Sequence, residues 1–237
     1  MSAALEFRNV YAAYGAFRAL FDVSFSIAPG EAVALVGSNG AGKTSVARVA
    51  SGLVAPSEGS VLVNGRDLTG ARAHRFARAG VAHAPEGRSV FATLTVEENL
   101  ALSVHRIRGR KGVKDGLNEA YEMFPLLGER RQQPAGTLSG GEQRMLALAR
   151  VMVDAPRLLI ADELSLGLAP VMVEHTYELL DRLRAQGVAL LVIEQHVTHA
   201  LALCDRVIML SRGTPSWIGS AAEAHTRVQT FLNLQPH

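Results

Sequence analysis

The stretch "EAVALVGSNGAGKTS", from Glu31 to Ser45, decides how this chain folds. Its first part, "EAVALVG" at 31–37, is a nearly continuous apolar run, which is typical of a β-strand buried on both faces. Its second part, "GSNGAGKT" at 37–44, matches the pattern G-x-x-x-x-G-K-[ST]. The glycines let the backbone curl so that successive N–H groups point at phosphate oxygens, and the helix behind adds the positive end of its dipole. The stretch therefore predicts an α/β fold built around a phosphate-binding loop.

The residue types of this loop suit separate tasks. Lys43 can reach the β- and γ-phosphates of a nucleotide, and the Thr44 hydroxyl can ligate Mg²⁺. A glycine-rich turn without function is the alternative interpretation, and the flanking strand and helix argue against it. The residues predicted to bind the nucleotide here are Gly37, Ser38, Asn39, Gly40, Ala41, Gly42, Lys43, Thr44 and Ser45.

Two carboxylates follow a second buried-strand run, "RLLIAD" at 157–162. Asp162 would hold Mg²⁺ through water, and Glu163 would orient or deprotonate the attacking water. The alternative is a pair of acidic residues in an ordinary strand-to-loop turn. Because a phosphate loop needs both a metal-holding carboxylate and a group that directs water, the combination predicts a catalytic site with Lys43 and Glu163. Thr44 and Asp162 are the predicted metal ligands.

Further strands are predicted towards both ends of the chain. "FDVSFSI" at 21–27 alternates between apolar and polar residues, as in a half-exposed strand. "SVLVNGRDL" places Asn-Gly between two short strands, which is a strong hairpin signal. The apolar run "VALLVI" at 188–193 and the segment "DRVIML" at 205–210 indicate two more strands. The residues predicted on the apolar face of the alternating strand are Phe21, Val23, Phe25 and Ile27.

The middle of the chain has a different pattern. From Thr95 to about residue 154 it predicts helices and loops and no strand. "TVEE" at 95–98 and "SGGE" at 139–142 both fit a capping box, with Thr or Ser at the cap and Glu three residues later. Pro170 begins an amphipathic helix that ends near Gly187. These patterns predict an α/β core formed by both ends of the chain, with a helical insertion between them.

The composition excludes several classes of protein. The 237 residues are 48% hydrophobic and 19% charged, as in a globular protein with a substantial core. The longest apolar runs fall well short of the ~18 residues that a membrane span requires, and the first residues do not resemble a secretory signal. The single cysteine fits a reducing compartment. A net charge of +2 gives no support for a nucleic-acid partner.

The motifs "GSNGAGKT", "LSGGEQ" and "LLIADE", in this order, resemble the ATPase subunits of ATP-binding-cassette (ABC) transporters over nearly the whole chain. The resemblance implies a P-loop NTPase (RecA-like) core with an N-terminal antiparallel β part and an inserted helical subdomain. It implies one cassette domain over 1–237, with the core at about 1–86 and 156–237 and the helical subdomain at about 87–155. ATP and Mg²⁺ are the implied cofactors.

"LSGGE" at 138–142 is similar to the signature motif of that family. Two cassettes pair head to tail in the family, and the signature of each chain closes the phosphate loop of the other. The resemblance therefore assigns this segment to the partner's ATP, with the N-terminus of the following helix facing the γ-phosphate. A simple helix cap is the alternative role for the serine, and both roles are compatible. The residues concerned are Leu138, Ser139, Gly140, Gly141 and Glu142.

Other positions match the family less closely. Tyr14, in "AAYGAF", lies where the family places an aromatic ring on adenine, and Tyr11 is a rival. Glu86, in "APEGR", replaces the usual glutamine that contacts Mg²⁺ and senses the membrane partner. Leu164 replaces the usual proline after the catalytic glutamate, and Leu168 replaces an aspartate that many members have.

The segment "VIEQHV" at 192–197 lies where the family has a histidine that contacts the γ-phosphate. Counting from the end of the strand puts Gln195 at that place, and His196 is then one residue late. Neighbouring residues at a strand end generally point in opposite directions, so only one of the two side chains faces the phosphate. The count favours Gln195, whose amide can donate a hydrogen bond but cannot carry a proton.

"PEGR", "TVEENL", "SLGLAP" and "IEQ" together resemble the branched-chain amino-acid importer branch. That branch implies a second cassette chain, homologous or identical, and integral-membrane permeases, with a periplasmic or extracellular solute-binding protein in the complex. It implies a cytoplasmic location on the inner face of the cell membrane. The apolar residues Val90, Phe91 and Leu94, just before a capped helix, are candidates for docking to the permeases.

Three alternatives to this function are open. A soluble cassette ATPase could work on nucleic acid or in protein assembly, although such proteins usually fuse two cassettes or carry long insertions. An importer for another small polar solute, such as urea or amides, would need the same cassette. A small-molecule kinase would use the phosphate loop but would have no use for "LSGGEQ".

Overall fold

A computed structural model of the chain describes residues 2–85, 90–153, 156–195, 197–224 and 227. The chain forms two compact units. The first, here called the core unit, comprises Met1–His83, Arg157–Glu163 and Leu180–His237. The second, the helical unit, comprises Ala84–Pro156 and Leu164–Leu179.

The core unit contains two sheets. The first is antiparallel where its strands pair, in the order β2-β1-β4-β5. Its strands are β1 (Leu5–Tyr14), β2 (Phe17–Ile27), β4 (Glu58–Val63) and β5 (Arg66–Asp67). Asn64 and Gly65 connect the last two strands with positive φ angles of 49° and 75°, which confirms the Asn-Gly hairpin.

The second sheet has six strands in the order β10-β9-β3-β8-β7-β6. The four central strands pair in parallel, and β10 pairs antiparallel with β9. The strands are β3 (Ala32–Val36), β6 (Val81–Ala84), β7 (Leu158–Asp162), β8 (Ala189–Glu194), β9 (Arg206–Ser211) and β10 (Thr214–Ser220). Every residue of β3, β7 and β8 is buried, as their continuous apolar runs predicted.

The hydrophobic core of this unit follows the alternation of the strands. Val33 and Leu35 of β3 belong to the same buried cluster as Phe7 of β1 and Val46 of α1 (Lys43–Ala50). The intervening Ala34 is also fully buried but lies outside that cluster. Successive side chains of a strand point to opposite faces, so one face of β3 packs on the antiparallel sheet and α1. This packing holds the loop between β3 and α1 in place.

The predicted apolar face of β2 is wrong at one position. Val23, Phe25 and Ile27 are buried, but Phe21 is 37% exposed and Leu20 is buried in its place. The pairing with β1 shifts between Val23 and Leu20, and Asp22 has a φ of +49°. A bulge of this kind adds one residue and reverses the alternation beyond it.

The helical unit begins its first long helix, α3 (Val96–Arg108), with a capping box formed by Thr95 and Glu98. A second capping box, formed by Ser139 and Glu142, begins α6 (Gly140–Met152). Both confirm the sequence patterns. Between them lie α4 (Val113–Met123) and α5 (Pro125–Glu129).

The remaining helices are α2 (Ala73–Arg78), α7 (Pro170–Ala185) and α8 (Val197–Leu203). Pro170 opens α7, as predicted, and the first ten residues of this helix belong to the helical unit. None of the helices in the described part of the chain is long and apolar enough to cross a membrane.

Candidate functional site: a phosphate loop, its carboxylates and a separate signature helix

Three adjacent parallel strands bring the predicted catalytic residues to one edge of the six-stranded sheet. The order β3-β8-β7 places β8 in the middle. The phosphate loop follows β3, Gln195 follows β8, and Glu163 follows β7. The carboxyl ends of parallel strands meet at the same edge, which is where ligands bind in open α/β sheets.

The loop needs its glycines because other backbone lies against it. A Cβ added to Gly37 would lie 2.5 Å from the carbonyl oxygen of Leu210, which no side chain tolerates. Gly42 has a φ of 104°, and its Cβ would lie 3.0 Å from the carbonyl oxygen of Ala19. The Gly213 N–H donates to the Ala41 carbonyl at 2.8 Å. The loop is therefore locked between β2 and the β9–β10 turn.

Lys43 lies over this loop and is buried, with 5% of its surface exposed. Its Nζ donates to the carbonyl oxygens of Gly37, at 2.9 Å, and Ser38, at 3.1 Å. The same Nζ lies 3.9 Å from Oε1 of Glu163. A lysine held in this way has its cation fixed at the mouth of the loop, where phosphate oxygens would bind.

Glu163 and Gln195 form a direct contact. The Gln195 Nε2 donates to Oε1 of Glu163 at 2.9 Å. Glu163 is 7% exposed and has a φ of +51°, an uncommon conformation for a residue with a side chain. Its N–H donates to the Ile193 carbonyl at 2.8 Å, which fixes the backbone at this turn. The structure thus brings Lys43, Glu163 and Gln195 together.

Asp162 lies one residue before this cluster and is 2% exposed. Its Oδ1 is buried without a hydrogen-bond partner among the described residues. An unpartnered buried carboxylate oxygen is costly in a folded protein, by about 1–3 kcal/mol or more, and such an atom suits a group that coordinates a metal ion or its water. Its other oxygen, Oδ2, lies 3.8 Å from Nε2 of His83.

The remaining loop residues differ in accessibility. Asn39 and Gly40 are exposed, and Ser38 and Thr44 are half-buried. Gly40 has a φ of 76° and open space where a Cβ would lie, so its conformation rather than crowding favours glycine. The buried members are Ala41 and Ser45.

Tyr14 is 39% exposed at the end of β1, and the guanidinium of Arg48 lies 6.0 Å from the centre of its ring. Arg48 lies in the last turn of α1, the helix that follows the phosphate loop. Tyr11 is half-buried within β1, where it lies opposite Glu58 of β4 in the strand register. Tyr14 is the more exposed of the two candidate rings, and its contact with a base stays a prediction.

The signature segment belongs to the helical unit and is open to solvent at its centre. Ser139 and Gly140 are exposed, whereas Leu138 is 5% exposed. The Ser139 N–H donates to Oε2 of Glu142 at 2.7 Å. This hydrogen bond, with Arg130 3.2 Å from the carboxylate, holds the pKa of Glu142 below its ordinary value.

Packing within the helical unit does not require a glycine at position 141. A Cβ added there would lie 3.6 Å from the nearest atom, Cδ2 of Leu168, which is an ordinary van der Waals distance. Leu164 and Leu168, the two departures from the family pattern, line a small cavity beside this glycine. The other lining residues are Arg144, Met145, Leu148, Met172 and Thr176.

Sequence reasoning missed two polar side chains that support these segments. Gln143 is buried, and its Nε2 donates at 3.1 Å to the carbonyls of both Ala135 and Leu138, which ties the signature segment to α6. His83, beside Asp162, is the second. The quoted "LSGGEQ" contained Gln143, but the sequence gives no signal for the position of His83.

The apolar docking candidates also lie in the helical unit. Phe91 is 51% exposed, with the Arg150 guanidinium 4.8 Å from its ring centre. Val90 and Leu94 are half-buried. Asn99, which is fully buried, donates to the Phe91 carbonyl and accepts from the Phe91 N–H, so the loop is fixed to α3.

Glu86 and His196 lie outside the described residues, and their predicted roles stay predictions.

Comparisons with known proteins agree with this geometry. The family model for the ABC transporter matches residues 20–165. The high-affinity branched-chain amino acid transport ATP-binding protein BraG of Pseudomonas aeruginosa is 41% identical over 88% of this chain and 89% of its own. The probable branched-chain amino acid transport ATP-binding protein LivF of Archaeoglobus fulgidus is 35% identical, covering 90% of each chain. The lipopolysaccharide export system ATP-binding protein LptB of Escherichia coli K12 is 32% identical over 89% and 88%.

A solved structure of an ATP-binding subunit of an ABC transporter superposes with a TM-score of 0.84, at 27% identity, over 95% of this chain and 93% of that one. The fold is therefore that of a P-loop NTPase with an antiparallel β part and helical parts, as predicted. The chain belongs to the ABC transporter family. Within that family it is an ATP-hydrolysing subunit of a transporter.

Proposed function

We propose that this chain powers the import of branched-chain amino acids, and that it does so as one of two cassettes that close over ATP head to tail. The observation that carries the ATPase chemistry is the contact of Lys43, Glu163 and Gln195 at one sheet edge. The solute is inferred from the names of BraG and LivF and from the sequence motifs. LptB, which is named for lipopolysaccharide export, indicates that the cassette alone does not fix the solute.

In the proposed reaction Lys43 and the loop N–H groups hold the β- and γ-phosphates of ATP. Glu163 orients the attacking water and accepts its proton. Gln195 already donates to Glu163. Its amide would hold that carboxylate in place and contact the γ-phosphate. Tyr14 would stack on adenine, beside Arg48.

Mg²⁺ fits the residues present. Asp162 offers a buried oxygen that has no hydrogen-bond partner among the described residues. Thr44 lies at the start of α1, where its hydroxyl can serve as a ligand. Glu86 is proposed as a further contact. When bound, the ion would supply charge neutralisation between the β- and γ-phosphates.

The split site is supported by the exposure of the signature segment. Ser139 and Gly140 are exposed at the start of a 13-residue helix, whose N-terminus favours an anion. Gly141 is a glycine that packing in its own unit does not require. A phosphate bound to a partner cassette could approach this exposed helix N-terminus closely, because Gly141 has no side chain to block it.

The proposal extends to the partners and the location. The chain would act as a single cassette domain over 1–237 on the cytoplasmic face of the membrane, with permeases and a solute-binding protein. Phe91 supports docking because it is an exposed aromatic residue in a loop fixed to α3. Phe91→Asp should abolish co-purification with the permeases, whereas Phe17→Asp, a control at a 72% exposed phenylalanine of the core unit, should not.

Uptake of labelled solutes tests the function. Cells that lack this chain should lose uptake of leucine, isoleucine and valine but keep uptake of urea and amides. The native chain should restore it, and Glu163→Gln should not, although it is present in the same membranes. Normal leucine uptake in the deletion strain, with loss of uptake of another solute, would replace the proposed substrate and leave the ATPase assignment intact.

A further inference from the structure

Beside the nucleotide cluster, β6 and β7 carry a pair of side chains with little exposed surface. His83, the third residue of β6, faces Asp162, the last residue of β7, and the two strands are neighbours in the sheet. The imidazole side chain is 11% exposed and the carboxylate side chain 2% exposed. A histidine beside a predicted metal carboxylate has no part in the function proposed above.

Both side chains of this pair have a buried polar atom that no described residue satisfies. Nε2 of His83 and Oδ1 of Asp162 are both buried without a hydrogen-bond partner in the part of the chain that the structure describes. Nε2 lies 3.8 Å from the other carboxylate oxygen, Oδ2. A movement of about 1 Å would bring Nε2 and Oδ2 to the ~2.8 Å of a charge-assisted hydrogen bond.

Two other polar groups at this edge lie against a different carboxylate, that of Glu163. Lys43 lies beside Glu163, and Gln195 donates to Glu163. Asp162 is thus approached by an imidazole, whereas Glu163 is held by an amide and an ammonium group. The two carboxylates have separate supports.

We propose that His83 is a positioning residue for Asp162: its Nε2–H holds Oδ2 and so fixes the carboxylate with Oδ1 available to the hydrated Mg²⁺ of the nucleotide. The inference rests on the Mg²⁺ site of the proposed function. Hydrogen bonds to the outer side of a metal-binding carboxylate orient it, and their removal typically costs about 10–100-fold in metal affinity or activity.

Three variants separate a hydrogen-bond role from a packing role. His83→Gln places an amide N–H at the end of a side chain of similar reach, so it keeps the donor. His83→Asn has the same amide on a shorter side chain, and His83→Phe keeps a ring without any donor. The asparagine variant also covers the case in which the phenylalanine variant fails to fold.

The measurement is the Mg²⁺ concentration that gives half of the thermal stabilisation by an ATP analogue that cannot be hydrolysed. His83→Phe and His83→Asn should need about 10-fold more Mg²⁺ than the native chain, and His83→Gln within about 3-fold. Affinity for a fluorescent ATP in EDTA should be the same in all four proteins, because no metal is then held.

The inference would be overturned by an unchanged Mg²⁺ requirement in both His83→Phe and His83→Asn, or by an equal increase in all three variants. Weakened binding in EDTA would also overturn it, since it would indicate a structural role. If Mg²⁺ has no effect on the native chain, the proposed metal site itself is wrong. A native response with no difference among the variants would reject only the role of His83.

Discussion

The phosphate loop and the signature segment are both helix starts rich in glycine, yet their surroundings are opposite. The phosphate loop is enclosed by β2 and the β9–β10 turn, and its lysine is 5% exposed. The signature segment has an exposed serine and glycine at its centre. A Cβ added at Gly37 would lie 2.5 Å from backbone, whereas one added at Gly141 would lie 3.6 Å from its nearest neighbour. The first segment is therefore enclosed by its own chain, and the second is exposed, as the proposed contact with a partner cassette requires.

The largest effect should come from the enclosed site. Lys43→Ala removes the cation at the loop, and Glu163→Gln removes the charge that accepts a proton. Each should lower ATP turnover by at least about 10²–10³-fold, because positioning and electrostatics supply most of the catalysis in this reaction. Turnover is measured on the purified chain with its partners. Native turnover in Lys43→Ala would show that the loop is not the phosphate site.

The two variants should differ in binding. Glu163→Gln keeps the size of the side chain and the hydrogen bond from Gln195, so it should still bind ATP and accumulate as a dimer. Light scattering in ATP gives the mass. A monomer at every ATP concentration, even with candidate partner cassettes added, would contradict head-to-tail closure.

Gly141→Ala tests the other side of the comparison. A methyl group fits at this position, so the melting temperature should stay within about 2 °C or rise, since alanine favours a helix over glycine by up to ~1 kcal/mol. ATP turnover should nevertheless fall by about 10-fold or more, because the methyl group would occupy the approach to the partner's phosphate.

Gly37→Ala is the matched control for this substitution. It should lower the melting temperature clearly, since its methyl group would overlap the Leu210 carbonyl. Native turnover in Gly141→Ala would contradict the role of the signature segment in the partner's site. A large loss of stability there would instead mean that its own unit requires this glycine.

Gln195→Ala should have an intermediate effect within the enclosed site. It removes the 2.9 Å hydrogen bond to Glu163, so turnover should fall by about 10-fold, while His196→Ala should cost much less. A histidine that takes part in the reaction would give an inflection near ~6.5 in the pH–rate profile of the native chain. We expect no inflection there that His196→Ala removes. A collapse of turnover in His196→Ala alone would show that the histidine is the phosphate contact.

Sequence patterns predicted the elements that depend on interactions between residues close together in the chain. The run before Gly37 had to be a buried strand, and both capping boxes followed from the side chains at the cap and three residues later. The face of β2 was predicted wrongly at Phe21 because a bulge at Asp22 depends on how β1 pairs with it. No local pattern gives that register.

The site was predictable to the same extent. Lys43, Asp162 and Glu163 were found from motifs next to buried strands. The approach of His83 to Asp162 depends on β6 lying beside β7, which is a fact of sheet order and not of spacing along the chain. Leu164 and Leu168 were seen as departures from the family, and only the fold shows that they line one cavity with Met145 and Met172.

The smallest effect should come from the cap of the signature helix. Hydrogen bonds from Ser139, and the positive charge of the nearby Arg130, lower the pKa of Glu142, so the charged carboxylate stabilises the folded state. A lowered pKa gives stability that is fully present above the ordinary value of 4.5 and is lost as the pH falls through the folded-state value. Glu142→Gln keeps an oxygen that can accept the Ser139 N–H and removes only the charge. It should therefore cost about 0.5 kcal/mol at pH 7 and nothing once Glu142 itself is protonated.

Urea unfolding at pH 7 and at the lowest pH at which the fold persists measures this difference. Glu98→Gln, in the capping box of α3, is the matched control, because Glu98 makes the same reciprocal bonds with Thr95. The loss in Glu142→Gln should exceed that in the control at pH 7, since Arg130 adds a cation 3.2 Å from Glu142. An equal loss of unfolding free energy at both pH values would mean that the capping geometry, and not the charge of Glu142, holds Ser139 in place. Ser139 is the exposed residue that is proposed to contact the partner's phosphate.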